Sequence, residues 1–222
     1  MKVIALISGG KDSMLALHKA AEEHEIVGVL GIIPKNPDSY MFHSVNLHML
    51  DVIAESLQLP LTKIEVSGEE EKEVEELAKQ IGKIDADALC IGGIESLYQK
   101  KRFERVCRKA GLELLTPLWG RNSRELMEEV VNNFEAIIVS VSAMGLDESF
   151  LCRRIDRDCL KELLELNEKY GVHLAGEGGE FETLVLDAPL YTFRIAVESV
   201  RKFWDGMRGY CLIETYSKIS KI

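Results

Sequence analysis

The chain has no pair of cysteines at C-x-x-C spacing. Its five, Cys90, Cys107, Cys152, Cys159 and Cys211, are an odd number scattered through apolar or helical stretches. That distribution offers neither a disulfide framework nor a zinc knuckle and points to buried structural thiols. No apolar run approaches the ~20 residues of a membrane span, and the opening run, Val3 to Ile7, is too short for the core of a signal peptide. A cytoplasmic protein without membrane attachment is expected. Positive charge is in deficit: 27 Lys and Arg against 37 Asp and Glu leave a net −10, which argues against stable nucleic-acid binding. Internal repeats and low-complexity segments are absent as well. At 222 residues the chain can bury a substantial core, as one domain or as a nucleotide-binding domain with a smaller partner.

What is there begins with Ile7-Ser8-Gly9-Gly10-Lys11-Asp12-Ser13, a glycine turn between the first apolar run and an amphipathic segment carrying Met14, Leu17 and Ala21 on one helical face. A strand that stops at Ser8 and a helix opening near Asp12 or Ser13 aim several backbone N–H groups into one concavity, where phosphate collects. Ser8, Ser13 and Lys11 add two hydroxyls and an ammonium. Asp12 is out of place among phosphates unless a divalent cation bridges it to them, which predicts magnesium on Asp12. A Walker A loop is excluded, because Ala5 stands where its first glycine is needed and Asp12 follows the lysine. The plainer alternative, a tight corner with Asp12 as helix N-cap, explains one residue where the phosphate reading explains six.

Further on, strand and helix patterns alternate five times: strands over Ile26–Ile33, Leu61–Val66, Ala88–Ile91 and Leu112–Leu115 follow the first, with helices between them. This predicts an α/β fold with a five-stranded parallel sheet, its ligands at the carboxyl ends of the strands. The loop, the stretch Pro34–His43 and the pair Gly92-Gly93 all fall at such ends. Glu69–Glu76 reads as the solvated face of an acidic helix. Lys100, Lys101, Arg102, Arg105, Arg108 and Lys109 crowd another helix, as a solvated face or an anion-facing one. Texture changes after Thr116-Pro117, and a boundary at 120/121 divides a domain carrying the phosphate loop, 1–120, from a smaller α+β domain, 121–222. There Ala136–Val141 reads as a strand, and the alternation around Phe193–Val197 and Cys211–Thr215 as antiparallel strands.

A second constellation is Gly176-Glu177-Gly178-Gly179-Glu180-Phe181-Glu182-Thr183, read as a loop before a strand at Leu184–Asp187. Glycines let backbone approach a ligand closely, and the three carboxylates could bind a cation, a metal or an amine, or take a proton. A surface turn with solvated acids is the alternative. A dinucleotide fingerprint fails, since Phe181 occupies the third glycine's place.

Ser8-Gly9-Gly10-Lys11-Asp12-Ser13 resembles the PP-loop of the N-type ATP pyrophosphatases. Together with Gly92-Gly93-Ile94-Glu95-Ser96-Leu97-Tyr98-Gln99, Leu118-Trp119-Gly120-Arg121 and Glu177 to Thr183, it makes the chain similar to the diphthine–ammonia ligase family, in the compact form of its archaeal members. The resemblance implies a Rossmann-like sheet of the adenine nucleotide alpha hydrolase type. It implies ATP held by Ser8, Gly9, Gly10, Lys11, Asp12, Ser13 and His43, with the adenine near the end of the second strand and Gly92 and Gly93 approaching phosphates or ribose. The implied reaction adenylates the carboxylate of diphthine, a modified histidine of translation elongation factor 2. Ammonia then displaces AMP from the acyl-adenylate to give diphthamide, pyrophosphate having left first. Lys11, Asp12, Glu177 and Glu180 are the implied catalytic residues, and Tyr98, Gln99, Trp119 and Glu177 through Thr183 the implied substrate-binding ones. Glu177 and Glu180 either hold the diphthine trimethylammonium or deprotonate ammonium, with Phe181, Tyr98 or Trp119 offering aromatic faces to the cation. With no glutaminase module in view, free ammonium is the expected nitrogen source. A tRNA-modifying PP-loop adenylase and a non-catalytic ATP- or AMP-sensing module are the competing readings, and a homodimer is left open.

Overall fold

The computed structural model describes residues 1–35, 45–67 and 69–221, which form two compact units, Met1–Gly120 and Arg121–Ile222. The first contains β1 (Lys2–Leu6), α1 (Lys11–Glu23), β2 (Glu25–Pro34), a 3-10 turn over Leu47–Met49 running into α2 (Leu50–Leu57), and β3 (Leu61–Val66). It continues through α3 (Glu70–Ile81), β4 (Ala88–Cys90), α4 (Leu97–Ala110) and β5 (Glu113–Leu115). The expected five-stranded sheet is present, in the order β3-β2-β1-β4-β5, with every neighbouring pair parallel.

Its strands are continuous apolar runs because both faces are covered. On one face Ile4, Leu30, Ile32, Ile64, Leu89 and Ile91 meet the stripe Val74, Leu77 and Ile81 of α3 and Phe103, Val106 and Cys107 of α4. On the other lies α1, where the Cys90 thiol of β4 reaches the Ala16 carbonyl at 3.6 Å. Burial pushes the thiols of Cys90 and Cys107 up to about 12, so they act as small apolar side chains. The strand order reverses between β1 and β4, and a parallel sheet of this kind binds ligands outside the carboxyl ends of the two strands at such a point.

Two expectations need correction here. Glu73 of the acidic helix is buried, 2% exposed, so that segment is not a uniformly solvated face. Nor is the basic helix a uniform anion-facing surface. Arg102 is buried at 5% exposure with its guanidinium 4.5 Å from the Tyr98 ring centroid. Lys100 lies 4.1 Å over Trp119, and Lys109 pairs with Glu75 of α3 at 2.7 Å. Packing α4 against α3 recruits part of its charge inward.

The second unit contains α5 (Ser123–Asn133), β6 (Glu135–Val141), a 3-10 turn over Glu148–Phe150, α6 (Arg157–Tyr170), β7 (Phe181–Asp187), β8 (Phe193–Trp204) and β9 (Gly209–Ser220). Its antiparallel sheet runs β7-β6-β9-β8. Asn122 and Asp156 cap the two helices with side-chain oxygens, each worth about 1 kcal/mol. Strand β7 starts at Phe181, not Leu184. Phe181, Glu182 and Thr183 are thus strand residues, and pairing with β6 outweighs the loop-like glycine and acid composition ahead of them.

Two separate segments share the edge of β6 that faces away from β7. Its first half bonds residues 152–155, with Cys152 N–H to the Ile138 carbonyl at 2.8 Å and Ile138 N–H to the Arg153 carbonyl at 2.9 Å. Its end pairs Ser140 with Tyr210 and Val141 with Gly209 of β9. Where the segments meet, Cys152 and Cys211 form a disulfide. The absence of any disulfide expected from cysteine spacing is therefore wrong: the partners lie 59 residues apart, and only the shared edge brings them together. The remaining cysteine of this unit, Cys159, is buried, its thiol pushed up to about 11.

Candidate active site

At the switch point β1 gives way to Ser8-Gly9-Gly10, with Gly9 at φ 83°. Helix α1 opens at Lys11 behind Gly10, which provides no side-chain cap. Asp12 is therefore not the N-cap. The first intrahelical donor is Met14, whose N–H reaches the Gly10 carbonyl at 3.1 Å, and the amides ahead of it are not used by the helix ladder. The two serines hold the loop in shape. Ser13 Oγ donates to the Gly10 carbonyl at 2.9 Å and accepts from Ser8 N–H at 3.2 Å, while Ser8 Oγ accepts from Gly10 N–H at 3.4 Å. Lys11 is 2% exposed and its Nζ lies 2.8 Å from Asp12 Oδ2. A buried ammonium against a half-buried carboxylate, at a helix N-terminus, is a charge arrangement in which an anion and a cation can each take one partner.

Gly92 belongs to this site. A Cβ there would stand 2.6 Å from Ser13 N and 2.7 Å from the Asp12 carbonyl carbon, so β4's exit is pressed against the backbone of the loop. Gly93 differs: its nearest neighbour to a Cβ is a side-chain atom of Ile91 at 3.9 Å. His43 lies outside the described residues. Gln99 sits in the first turn of α4, its N–H on the Ser96 capping oxygen at 3.4 Å. Tyr98 and Trp119 are the aromatics already under Arg102 and Lys100. Their faces hold the protein's own cations, which counts against a role in receiving another. Phe181 is 3% exposed, part of the core of its unit.

In the second unit the turn before β7 is braced from a distance. Gly176 and Gly179 take φ of 68° and 83°, conformations open to glycine at little cost. Ser142, just past β6, donates its hydroxyl to the Gly179 carbonyl at 2.6 Å and its N–H to the Glu180 carbonyl at 2.8 Å. His173 Nδ1 accepts from the amides of Ala175 and Glu177 at 3.2 and 3.3 Å, and the His173 backbone N–H donates to Glu180 Oε1 at 3.2 Å. Glu180 Oε2 is buried with no hydrogen-bond partner among the described residues. Such an acceptor costs roughly 1–3 kcal/mol until a donor reaches it. The carboxylate folds back over Gly178, where a Cβ would come within 2.9 Å of Oε1. Sequence reasoning missed Ser142 and His173, which stand outside the glycine and acid run they support. Glu182 lies half-buried in β7 opposite Ser140 of β6, and Thr183 is 9% exposed beside it.

Among the described residues no three His, Cys, Asp or Glu side chains are gathered as a metal cage. Magnesium commonly uses one or two protein carboxylates and takes its remaining ligands from phosphates and water; Asp12 alone fits that habit.

The N-terminal-domain model of diphthamide synthase matches residues 1–114, and the C-terminal-domain model matches residues 122–219. The chain belongs to the diphthamide synthase family. Diphthine–ammonia ligase of Mus musculus is 38% identical over 246 residues, covering all of this chain and 92% of its own length. That of Homo sapiens is 38% identical over 226 residues, covering 90% and 84%. This diphthamide synthase family member is accordingly an enzyme of the ligase class. A crystal structure described as a predicted subunit of tRNA methyltransferase from Methanocaldococcus jannaschii superposes with a TM-score of 0.51 at 14% identity, over 85% of this chain and 98% of that one. At that identity the likeness concerns the fold alone. Among the described residues no helix is long and apolar enough to cross a membrane.

Proposed function

We propose that the chain uses ATP to join ammonia to the carboxylate of diphthine on translation elongation factor 2, forming diphthamide, AMP and pyrophosphate. The observation that carries this reading is the 38% identity to a diphthine–ammonia ligase along the whole chain, both units included. In this reading the first unit holds ATP and the second the diphthine side chain and ammonium. A translation-factor substrate implies the cytoplasm.

A carboxylate is a poor acceptor for ammonia, because the oxygen it must lose is a bad leaving group. One of its oxygens therefore attacks the α-phosphorus of ATP, the bond to the β,γ-diphosphate breaks, and pyrophosphate departs. Ammonia then attacks the acyl carbon of the acyl-adenylate, the carbon–oxygen bond to AMP breaks, and the nitrogen sheds a proton to leave the amide. Ser8 to Ser13 grip the β- and γ-phosphates through loop amides, the two hydroxyls and the Lys11 ammonium, and so stabilise the charge growing on pyrophosphate. Asp12 would hold a magnesium ion, which would neutralise part of that charge. Gly92 keeps β4 close against the grip.

The second unit's turn supports one of the two roles open to its glutamates. Glu180 Oε2 needs a donor, and ammonium has four N–H bonds where trimethylammonium has none. Glu180 accordingly receives ammonium and takes its proton, with Glu177 beside it on the turn that His173 and Ser142 hold. Mass spectrometry of diphthine-bearing factor incubated with the protein, magnesium-ATP and ammonium tests the reading. The acid-to-amide mass change with one AMP per amide is expected. Release of ADP, or no mass change, would overturn it.

A further inference from the structure

We propose that Phe203 and Tyr210, with Ser140 between them and Glu182, form the seat for the quaternary ammonium of the substrate side chain. The inference rests on the proposed diphthine chemistry and adds to it a binding surface on the second unit's sheet. Four residues stand in one row across the four strands: Phe203 of β8 opposite Tyr210 of β9, Tyr210 opposite Ser140 of β6, and Ser140 opposite Glu182 of β7. Directly paired residues share a face, so all four side chains rise from the same side.

The next row, Gly209, Val141 and Phe181, faces the other way and is buried, with Val141 at 0% and Phe181 at 3%. Phe203 and Tyr210, by contrast, are 38% and 37% exposed, with rings stacked at 4.7 Å between centroids. Adjacent strands are about 4.8 Å apart, so Tyr210 and Glu182 rise about 10 Å from each other with only a serine between them. The row thus offers an aromatic wall, a small floor and a carboxylate wall.

A trimethylammonium group cannot donate an N–H bond, carries a permanent charge and presents apolar methyls. An aromatic face and a carboxylate answer those properties together. The three aromatics suggested by sequence are poorly suited, Tyr98 and Trp119 lying under protein cations and Phe181 being buried. The seat also lies at the end of the sheet where the Glu180 turn enters β7.

The test has two arms. Steady-state kinetics compares wild type with Tyr210→Leu and Phe203→Leu on diphthine-bearing factor, and Met207→Ala in the same hairpin serves as a surface control. Each leucine variant is expected to raise KM for the factor roughly tenfold, about 1.4 kcal/mol, without altering KM for ATP. Tyr210→Phe should recover most of what Tyr210→Leu loses. In the second arm, tetramethylammonium is titrated against the wild-type chain while the ring signals of Tyr210 and Phe203 are followed by NMR. Selective shifts of those signals support the seat. An unchanged KM in Tyr210→Leu, or no ring shift, overturns it even where amidation is seen. If amidation fails while the rings still shift, the diphthine reading falls and the quaternary-ammonium site stands.

Discussion

The phosphate loop of the first unit and the carboxylate turn of the second are both short glycine-rich stretches at strand ends, yet they are built in opposite ways. The loop is local: the contacts holding Ser8, Gly10 and Ser13 span at most five residues, and Gly92 is the distant piece. The turn depends on residues far from it, chiefly Ser142, 37 positions before the carbonyl it binds, and its unit is tied by a disulfide across 59 positions. A local site writes itself into consecutive residues. A site assembled by tertiary packing leaves only its tip in the sequence.

Substitutions can break that contrast or sharpen it. The largest effect should come from the tip of the turn: Glu180→Gln is expected to slow amide formation by about 10²–10⁴ while calorimetric ATP affinity stays at wild type. Loss of ATP binding would move Glu180 into the nucleotide site. Gly178→Ala should act the same way more weakly, because the atoms in its path are the far end of Glu180 itself and the fold need not change. Next, Cys211→Ala or added reductant should destabilise the second unit by about 2–4 kcal/mol, read by hydrogen exchange. The first unit, whose Cys90 and Cys107 are free thiols, should be unaffected.

Smaller again is Gly92→Ala, which forces a methyl onto loop backbone and should cost about 1–3 kcal/mol, seen as weakened ATP binding. Gly93→Ala, with room around it, should leave binding within twofold; equal losses at both positions would remove Gly92's special place. Smallest is Ser142→Ala, which removes one hydroxyl bond worth about 1 kcal/mol. It should lower turnover about fivefold through a loosened turn while ATP affinity holds. An identical loss in ATP affinity would show that the turn is not a separate site.

This difference also explains what was legible beforehand. Buried parallel strands are runs of apolar residues, so β3 falls on Leu61–Val66 at both ends as expected, and the five-stranded sheet follows from the alternation. Strand β7 begins three residues earlier than its apolar run because Phe181, Glu182 and Thr183 pair with β6 regardless of the glycines before them. Glu73 is buried within a helix whose composition says solvent. The alternation of β8 and β9 was visible, but not that β9 would pair with β6 and set Tyr210 beside Ser140. Partner choice between distant strands is a property of the packed sheet, and one chain read along its length carries little trace of it.

The bond between Cys152 and Cys211 has one more outcome. A protease that nicks the backbone anywhere from residue 153 to residue 210 leaves both pieces tethered, so the cut molecule migrates as one species on a denaturing gel until thiol is added. Damage to the exposed hairpin tip around Met207, 83% exposed, can therefore go unseen under oxidising conditions, and the two pieces still meet as a single molecule whenever denaturant is withdrawn.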